Sequence, residues 1–457
     1  MPITDRSKAE ALFFQGIGHM QKGESGDAEA CFISAIELQP DFAEAHTNLA
    51  MLLSLRNEDE AAELHYLNSI SLNPNYPQTY LNLGALLAKQ KRFIDAEAAY
   101  GMAIKLDANS PDAWSNLGVL YACMKREAEA ENCYLTALLI DENHAKARFN
   151  LSYLQLRQGR FKEGWQNLEA RDWYAPLARQ LQMPRWMGEP LAGKSLLICF
   201  EAGLGDVIQF CRYAEVLKEQ GARNITLLCH PPLKALLSTL SGIDSIISFD
   251  EALPSSGWDF WTPLLSIPNF CRTRLDSIPA RIPYLHANPD AIEKWKPLLP
   301  RDGFRVGLVW RGSVHFENDA DRSLPSLSLL APLWSVNNIT FISLQKGAGE
   351  NETPADGLPL AHIGPKLSDF ADTAALIACL DLVISVDTAV AHLTGAMGKT
   401  CWVLLPDYKT DWRWLTERRD SPWYPKVMRL FRQSATGEWA PVISEVANAL
   451  RELMQQT

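Results

Sequence analysis

The sequence predicts an α-helical solenoid followed by two doubly wound α/β lobes. Three observations support this fold class: a 34-residue repeat in the first third of the chain, short apolar runs alternating with helical patterns from Ser195 onward, and a Pro-, Lys- and Asp-rich segment between two such series. At 457 residues the chain is long enough for two or three domains. We expect a solenoid over residues 1–170, a connector over 171–190, a first lobe over 191–287, and a second lobe over 288–457 whose final helix packs across the lobes.

The composition is that of an ordinary globular protein. Hydrophobic residues make up 47 %, charged residues 21 %, and the formal net charge is −11, which argues against non-specific binding to nucleic acid or anionic membranes. The nine cysteines occur without a CxxC pair, no apolar run approaches the roughly 20 residues of a membrane span, and the N-terminus lacks the basic start and apolar core of a secretory signal. We therefore expect a cytoplasmic protein with no nucleic-acid partner and no transmembrane segment.

Several positions recur in phase with a period of 34 residues. An asparagine, an alanine, an aliphatic residue and a small residue repeat along the first third of the chain: Asn48, Asn82, Asn116 and Asn150; Ala28, Ala62, Ala96 and Ala130; Ile36, Ile70, Ile104 and Leu138; Gly16, Ala50, Gly84, Gly118 and Ser152. Such a unit is a pair of amphipathic helices that buries its apolar face by stacking on its neighbours. The small residues would let the two helices of a pair approach closely.

The repeats "AEAHTNLAMLL", "PQTYLNLGALL", "PDAWSNLGVLY" and "AKARFNLSYLQ" resemble the tetratricopeptide repeat. The resemblance implies a superhelix whose concave groove binds peptides, with the four asparagines on that groove as in the asparagine ladder of eukaryotic O-GlcNAc transferases. Their side chains would hydrogen-bond the backbone of a protein or peptide partner. The alternative is that the asparagines cap or bridge neighbouring repeats. The pattern fades after "GRFKEGWQNLEARDW", where Gly164 takes the alanine position.

The remaining two-thirds alternates strands and helices in two series. The first offers the strands "SLLICF", "NITLLCH" and "SIISF", separated by helical patterns, and the second offers "FRVGLVW", "ITFISL", "LDLVIS" and "CWVLL". This alternation is typical of parallel sheets, whose ligands bind at the carboxyl ends of the strands. Two such lobes facing each other would form a cleft.

The loop after "LDLVIS" is the first candidate site. Asp387 or Thr388 can cap the following helix, and Ala389 puts no bulk over its end. Thr388, His392 and Gly395 share one helical face. A diphosphate could rest on the exposed N–H groups, with Thr388 and His392 adding hydrogen bonds. The alternative is an ordinary capped helix with a buried core histidine.

The turn "FEAGLGDVIQF" is the second candidate. Gly203 and Gly205 make a tight strand-to-helix turn, and Asp206 enters the first helical turn beside Glu201. A carboxylate at the carboxyl end of a strand is placed to act as a general base. Alternatively, Asp206 merely complements the helix dipole.

Cations also follow the strands of the second series. Arg311, Arg322 and Lys346 lie in loops after apolar strands and would converge on the cleft. The "DAD" at residues 319–321 superficially matches a metal-binding DxD motif, but it lies in a polar loop next to Arg322, and we predict no metal. Aromatic residues near the C-terminus would either stack on a ligand or, as we favour, pack in the interior: Trp412, Trp414, Trp423 and Tyr424.

Four segments together resemble the bacterial tetratricopeptide-linked glycosyltransferases: "EAGLGDVIQFCRYAEVL", "VGLVWRGSVHFENDADRSLP", "FISLQKG" and "DLVISVDTAVAHLTGAMGKTCWVLLP". Their catalytic part is similar to the heptosyltransferases and, more distantly, to O-GlcNAc transferase. The resemblance implies a GT-B fold, with the first lobe on the acceptor side and the second on the nucleotide-sugar side. It also implies inverting, metal-independent transfer, with a nucleotide-sugar as co-substrate and no cofactor.

The resemblance further implies roles for individual residues. Asp206 would be the catalytic base, and Lys346 and Arg322 would stabilise the leaving diphosphate. The donor would be held by Gly203, Gly205, Arg311, Asp387, Thr388, Ala389 and His392. Two features depart from the relatives: an arginine stands at position 322 where heptosyltransferases usually carry a lysine, and the histidine base of O-GlcNAc enzymes has no clear equivalent, His230 being the nearest candidate.

The sequence thus predicts a glycosyltransferase whose repeat domain presents a protein acceptor to the cleft. Two alternatives stay open. The repeats could serve as a protein-interaction scaffold beside an inactive transferase part, or the acceptor could be a lipid-linked saccharide, as in the heptosyltransferases.

Overall fold

The computed structural model describes residues 5–254, 256–300, 303–354 and 360–456. The chain divides into two compact units, Met1–Leu154 and Gln155–Thr457. The division falls inside helix α9 (Ala145–Arg157), before the predicted end of the solenoid at residue 170.

The first unit consists of helices that pack as consecutive pairs. Pro77 and Pro111 open two of these helices, where a missing N–H removes no intrahelical bond. The helices that precede α9 are α1 (Asp5–Lys22), α2 (Ser25–Leu38), α3 (Ala43–Leu55), α4 (Asp59–Leu72), α5 (Pro77–Lys89), α6 (Phe93–Leu106), α7 (Pro111–Cys123) and α8 (Glu127–Ile140).

Glycines at the in-phase small position allow the close approach within each pair. A Cβ atom on Gly84 would lie 2.6 Å from the ring of Tyr100, and one on Gly118 would lie 2.6 Å from the ring of Tyr134. Both tyrosines are buried and stand on the second helix of the pair. The repeat therefore couples a missing side chain on one helix to an aromatic ring on the next, which confirms the predicted role of the small residues.

The second unit contains two parallel sheets. The first has four strands in the order β3-β2-β1-β4, and the second has six in the order β10-β9-β8-β5-β6-β7. The strands are β1 (Ser195–Cys199), β2 (Asn224–Cys229), β3 (Ser245–Ser248), β4 (Phe260–Pro263), β5 (Phe304–Val309), β6 (Ile339–Ser343), β7 (Leu360–His362), β8 (Leu382–Val386), β9 (Cys401–Leu405) and β10 (Met428–Arg432). Apolar runs buried on both faces explain why the central segments β1, β8 and β9 form parallel strands.

Each sheet has a point at which the strand order reverses, between β1 and β4 in the first sheet and between β5 and β8 in the second. At such a point the loops leave to opposite faces of the sheet and open a crevice at the carboxyl ends of the strands, where ligands of these folds bind.

The helices of this unit are α10 (Phe161–Leu168), α11 (Ala175–Ala178), α12 (Leu204–Phe210), α13 (Tyr213–Glu219), α14 (Lys234–Leu237), α15 (Ile267–Phe270), α16 (Pro289–Trp295), α17 (Asp319–Arg322), α18 (Phe370–Ala378), α19 (Ala389–Ala396) and α20 (Trp439–Gln456).

Helix α10, which the repeat pattern assigned to the solenoid, belongs to the second unit. Trp165 is fully buried against the rings of Phe210 and Trp412, at centroid distances of 6.2 and 5.3 Å, and Phe161 stacks on Trp423 at 6.0 Å. The apolar face of α10 is thus filled by aromatic partners from both lobes, and the predicted boundary at residue 170 is too late.

The connector is fixed to the first lobe. Arg171 is buried and donates from Nε and Nη2 to the two carboxylate oxygens of Glu201, at 2.8 and 2.7 Å. The backbone N–H of Leu265 donates to the same carboxylate at 2.7 Å. A bidentate, fully desolvated pair of this kind fixes geometry, so Glu201 has a structural role.

The final helix packs on one lobe, which corrects the prediction that it spans both. The buried face of α20 joins a cluster formed with strands β5, β8 and β9 of the second sheet: Trp439, Val442, Ile443, Val446, Ala447, Ala449 and Leu450. Their three- and four-residue spacing makes a single apolar stripe, and the second sheet offers the matching apolar surface.

Candidate functional site at the junction of the two lobes

The two predicted loops meet where the lobes join. Helix α12 starts in the G-L-G-D turn at the strand-order reversal of the first sheet, and helix α19 starts in the corresponding loop of the second. A Cβ atom on Gly205 would lie 3.0 Å from Cδ2 of His392 and 3.5 Å from Cα of Ala389. Gly205 is therefore required for the close approach of the two helix N-termini.

Asp206 is held at this junction by two partners. Its Oδ2 accepts a hydrogen bond from the backbone N–H of Gly203 at 2.7 Å, which caps α12, and its Oδ1 forms an ion pair with Arg413 of the other lobe. Burial raises the pKa of Asp206 above its ordinary value, although Arg413 and the Gly203 N–H oppose the rise. The predicted base is thus a partly desolvated carboxylate that also complements the helix dipole.

Arg413 is the central cation of the junction. It is buried, donates from Nε to Gln209 Oε1 at 2.6 Å and from Nη1 to both oxygens of Asp411 at 3.0 Å, and its guanidinium lies 4.4 Å from the ring centroid of Trp412. Arg413 was not among the site residues predicted from the sequence. The flanking "DWRW" pattern carried no signal of its long-range partners.

Arg212 is a second buried cation that the sequence did not single out. Its Nη1 donates to the carbonyl of Trp423 at 2.6 Å, its Nη2 donates to the hydroxyl of Tyr284 at 2.8 Å, and its guanidinium lies 4.7 Å from the ring centroid of Tyr424. Arg212 belongs to the first lobe and Trp423 and Tyr424 to the second, so this residue also joins the lobes. The predicted interior packing of the C-terminal aromatics is confirmed, since Trp412, Trp414, Trp423 and Tyr424 are all buried.

Asp387 stands at the carboxyl end of β8. Burial and the neighbouring carboxylate of Asp411 raise its pKa to about 6, against the opposing charges of Arg322 and Arg413. Arg322 Nη1 also donates to the backbone carbonyl of Asp387 at 3.0 Å. Two carboxylates and two guanidiniums therefore share this edge of the second sheet.

The first turn of α19 has no side-chain cap among the described residues. Thr388 occupies the N-cap position, but its hydroxyl lies 3.0 Å from the hydroxyl of Ser385 instead of bonding the helix. This corrects the expectation that Asp387 or Thr388 caps the helix. The first N–H groups of α19 keep their capacity to bind an anion.

His392 lies inside the junction and not on an open wall. It is 6 % exposed, its Nδ1 is 3.0 Å from the hydroxyl of Tyr424, and its ring stacks on Trp414 at a centroid distance of 5.2 Å. Burial, together with Arg413 and Arg212, holds its pKa well below the ordinary value. The imidazole is therefore neutral, and in this conformation it acts as a packed, hydrogen-bonded residue.

The three predicted cations do not all converge. The Arg322 side chain packs against Gly312, and its guanidinium carbon lies 4.1 Å from the ring centroid of Phe316. Because it also donates to the carbonyl of Asp387, Arg322 lies at the site. Arg311 pairs with Glu352 at 2.7 Å. Lys346 is half exposed and donates to the carbonyl of Pro365 at 3.1 Å.

The DAD segment is used within its own loop. Asp319 Oδ1 accepts from Arg322 Nε at 3.1 Å and from the hydroxyl of Ser323 at 2.9 Å. This carboxylate therefore orients Arg322, which in turn reaches the start of α19.

His230, the alternative base, directly follows strand β2. It is partly exposed, and its Nδ1 is buried without a hydrogen-bond partner among the described residues. Burial lowers its pKa, and the nearby charge of Asp206 opposes that change. The imidazole is thus neutral near pH 7 and lies close enough to Asp206, the predicted base, to interact with its charge.

The in-phase asparagines lie on alternate helices of the first unit. Helix α3 contacts α5, and α5 contacts α7, so these helices form one layer. Asn48, Asn82, Asn116 and Asn150 are all partly exposed. The Asn82 side chain accepts from Gln78 at 2.8 Å, and within the described part of the chain the other three amides have no hydrogen-bond partner. In the part of the chain that the structure describes, no hydrogen bond from these four asparagines bridges neighbouring repeats.

Family models for the tetratricopeptide repeat match residues 15–79, 65–98 and 111–144. The N-terminal region is therefore a tetratricopeptide-repeat solenoid, a module that binds proteins or peptides. No helix among the described residues combines the length and apolarity needed to cross a bilayer.

Among curated proteins, the chain is similar to Protein FlbA of Caulobacter vibrioides, with 28 % identity over 330 residues, covering 65 % of this chain and 53 % of that protein. The chain thus spans about half the length of this relative. Among solved structures, PilF of Pseudomonas aeruginosa is 22 % identical and covers 36 % of this chain and 76 % of its own, with a TM-score of 0.34. The first tetratricopeptide region of Spaghetti (RPAP3), bound to an HSP90 peptide, is 21 % identical. The match covers 27 % of this chain and 99 % of that one, with a TM-score of 0.26.

Proposed function

We propose that this protein is an inverting, metal-independent glycosyltransferase with a GT-B arrangement, which transfers a sugar from a nucleotide-sugar to a protein acceptor. The observation that carries the proposal is the meeting of the two strand-order reversals, where Gly205 lets the start of α12 contact the start of α19. A ligand there would touch both lobes, as a donor and an acceptor in one reaction require.

The second lobe would bind the diphosphate of the donor. The uncapped N–H groups at the start of α19 and the guanidinium of Arg322 would supply positive charge to such an anion. Departure of a nucleoside diphosphate needs charge neutralisation, and fixed dipoles and guanidiniums supply it where no metal ion does. Lys346 would contribute only if its exposed side chain turned away from Pro365.

The first lobe would supply the base. In a single displacement the acceptor hydroxyl oxygen bonds to the anomeric carbon, the bond from that carbon to the phosphate oxygen breaks, and the hydroxyl proton passes to Asp206 while the nucleoside diphosphate leaves. A carboxylate whose pKa is raised by burial is better suited to accept that proton than an exposed one. Arg413 must release or share Asp206 during this step, because the ion pair lowers the basicity of the carboxylate.

The repeat region would present the acceptor. It is a protein-binding module on the same chain, and its partly exposed asparagines offer amide groups to the backbone of an extended polypeptide.

Donor binding tests the proposal directly. Saturation-transfer NMR of the full chain against UDP-, ADP-, GDP- and CMP-sugars should detect at least one donor, and no binding by any of them contradicts the catalytic function. Asp206→Asn should abolish transfer and keep donor binding. Asp276→Asn, which alters an exposed aspartate paired with Arg274, is the matched control and should leave turnover unchanged.

A scaffold function is the second candidate, because Asp206 is ion-paired to Arg413 and His392 is buried at the lobe junction. A closed junction of this kind fits a protein in which the repeats bind partners and the α/β unit no longer turns over. A chain that captures a polypeptide through its repeats and binds no nucleotide-sugar would support the scaffold.

A further inference from the structure

Three neighbouring strands of the first sheet each end in an aromatic ring. Phe200 follows β1, His230 follows β2 and Phe249 follows β3, and we call these three residues the aromatic row. Their ring centroids lie 4.6 Å apart for Phe200 and His230, 5.4 Å for Phe200 and Phe249, and 5.7 Å for His230 and Phe249. The rings therefore form one compact group at the carboxyl edge of the sheet, where ligands of parallel sheets bind.

The backbone holds the aromatic row in place. The N–H of Phe200 donates to the carbonyl of Leu228 at 3.1 Å, and the N–H of Phe249 donates to the carbonyl of Cys229 at 3.0 Å. These bonds continue the parallel ladder by one residue on each strand. The rings are thus fixed to the sheet and are not carried by a free loop.

The aromatic row is incompletely covered. Phe249 is 51 % exposed, and Phe200 and His230 are partly exposed, although Phe200 also packs on the buried cluster beneath it. Grouped aromatic rings that keep an open face are suited to hold a second flat or apolar group, since aromatic pairs favour offset or edge-to-face contacts.

His230 adds one directional group to this surface. Its Nδ1 is buried without a partner among the described residues, so the doubly protonated ring would bury an unsatisfied N–H and the imidazole stays neutral. The partly exposed ring can then meet a ligand through Nε2, which carries the proton in the tautomer that leaves Nδ1 bare. The aromatic row therefore offers an apolar surface with one N–H donor. Such a surface is complementary to a ligand in which a hydroxyl group lies next to an apolar side chain.

We propose that the aromatic row is the acceptor subsite, binding an aromatic side chain of a polypeptide while His230 Nε2 donates a hydrogen bond to the oxygen of the adjacent hydroxyl-bearing residue. A polypeptide is the occupant because the same chain carries a protein-binding repeat solenoid. This inference rests on the proposed function, and it names the local sequence preference of the acceptor: a serine or threonine flanked by an aromatic residue.

The test uses three blocked peptides and the full chain. The probes are acetyl-Phe-Thr-Phe-amide, acetyl-Ala-Thr-Ala-amide and acetyl-Phe-Val-Phe-amide, with binding followed by NMR titration. The unmodified protein should bind the first peptide about three- to tenfold more tightly than the second, the range expected for one aromatic contact. It should also prefer the first peptide to the third, which lacks the hydroxyl group.

Two variants assign these preferences to the aromatic row. F249A should remove the preference for phenylalanine over alanine, whereas L298A, which trims another exposed apolar side chain of the same unit, should keep it. H230F retains a ring and should remove only the preference for threonine over valine. Equal effects of F249A and L298A, or preferences that survive in both aromatic-row variants, overturn the subsite.

Donor binding is measured in the same samples with the nucleotide-sugar panel. Donor binding with no aromatic preference refutes the acceptor subsite and leaves the transferase proposal standing. If the unmodified protein binds none of the nucleotide-sugars, the transferase proposal itself is refuted.

Discussion

Removal of the Arg413 guanidinium should destabilise the second unit more than the loss of any surface ion pair. Arg413→Met keeps an unbranched side chain of similar length and leaves the carboxylates of Asp206 and Asp411 without their cation and Gln209 Oε1 without its donor. Breaking a buried pair by deleting one partner costs about 3–5 kcal/mol. The Asp206 and Asp411 side chains are 19 % and 23 % exposed and keep some water, so we take the lower end, about 3 kcal/mol.

Calorimetry of the full chain measures this effect. At about 2 °C per kcal/mol for a unit of this size, the transition of the second unit should fall by about 6 °C at pH 7. Arg418→Met is the matched control, because it deletes an exposed arginine paired with an exposed Asp420, and it should shift the transition by less than about 1 °C. The Arg413→Met deficit should shrink at pH 4.5, because burial raises the pKa of Asp206 and protonation then neutralises this abandoned carboxylate.

Equal shifts for Arg413→Met and Arg418→Met would refute the assignment of Arg413 as the cation that joins the lobes. A large deficit that stays constant between pH 7 and pH 4.5 would show that lost packing, and not an uncompensated charge, causes the destabilisation.

Two further predictions concern other parts of the chain. The pKa of Asp387 is higher in the folded state than in the unfolded state, so the folded state takes up a proton first as the pH falls. Lowering the pH from 7 to 5 should therefore stabilise the second unit. Asp387→Asn should flatten that pH dependence in thermal melts. Gly118→Ala should destabilise the solenoid by about 1–3 kcal/mol, because the new Cβ meets the Tyr134 ring, whereas Gly101→Ala, with open space around it, should stabilise it by up to about 1 kcal/mol in urea titrations.

These two predictions have clear contrary results. An unchanged pH slope in Asp387→Asn would mean that another group titrates in that range. Similar urea midpoints for the two alanine variants would mean that close helix approach does not select glycine at position 118.

The solenoid and the strands were predictable because their packing repeats along the sequence. A helix pair that stacks on its neighbours every 34 residues keeps small and aromatic partners in phase, as Gly84 with Tyr100 and Gly118 with Tyr134 show. Parallel strands buried on both faces read as continuous apolar runs. The parallel α/β organisation could therefore be predicted from the sequence, whereas the GT-B arrangement of the lobes stays a proposal.

The contacts between the lobes were not predictable, because they join residues far apart in the chain. Asp206 and Arg413 are 207 positions apart, and Arg212 and Trp423 are 211 positions apart, with no local pattern that links them. For the same reason the sequence assigned α10 to the solenoid, since its aromatic partners Phe210 and Trp412 come from distant elements. The residue types of the two loops predicted a candidate site, whose chemistry stays a proposal, but the ion pair with Arg413 and the burial of His392 were not predictable.

Calorimetric titration of nucleotide-sugars into the full chain and into Arg322→Met tests the central claim most directly. Arg322 stands beside the uncapped start of α19, and loss of one charged hydrogen bond to a phosphate costs about 1.5–3 kcal/mol. We predict that at least one nucleotide-sugar binds the unmodified protein and the Arg418→Met control equally, and binds Arg322→Met about 10- to 100-fold more weakly. Absence of binding by every nucleotide-sugar, or equal affinity in all three proteins, would contradict a diphosphate site at the junction of the lobes.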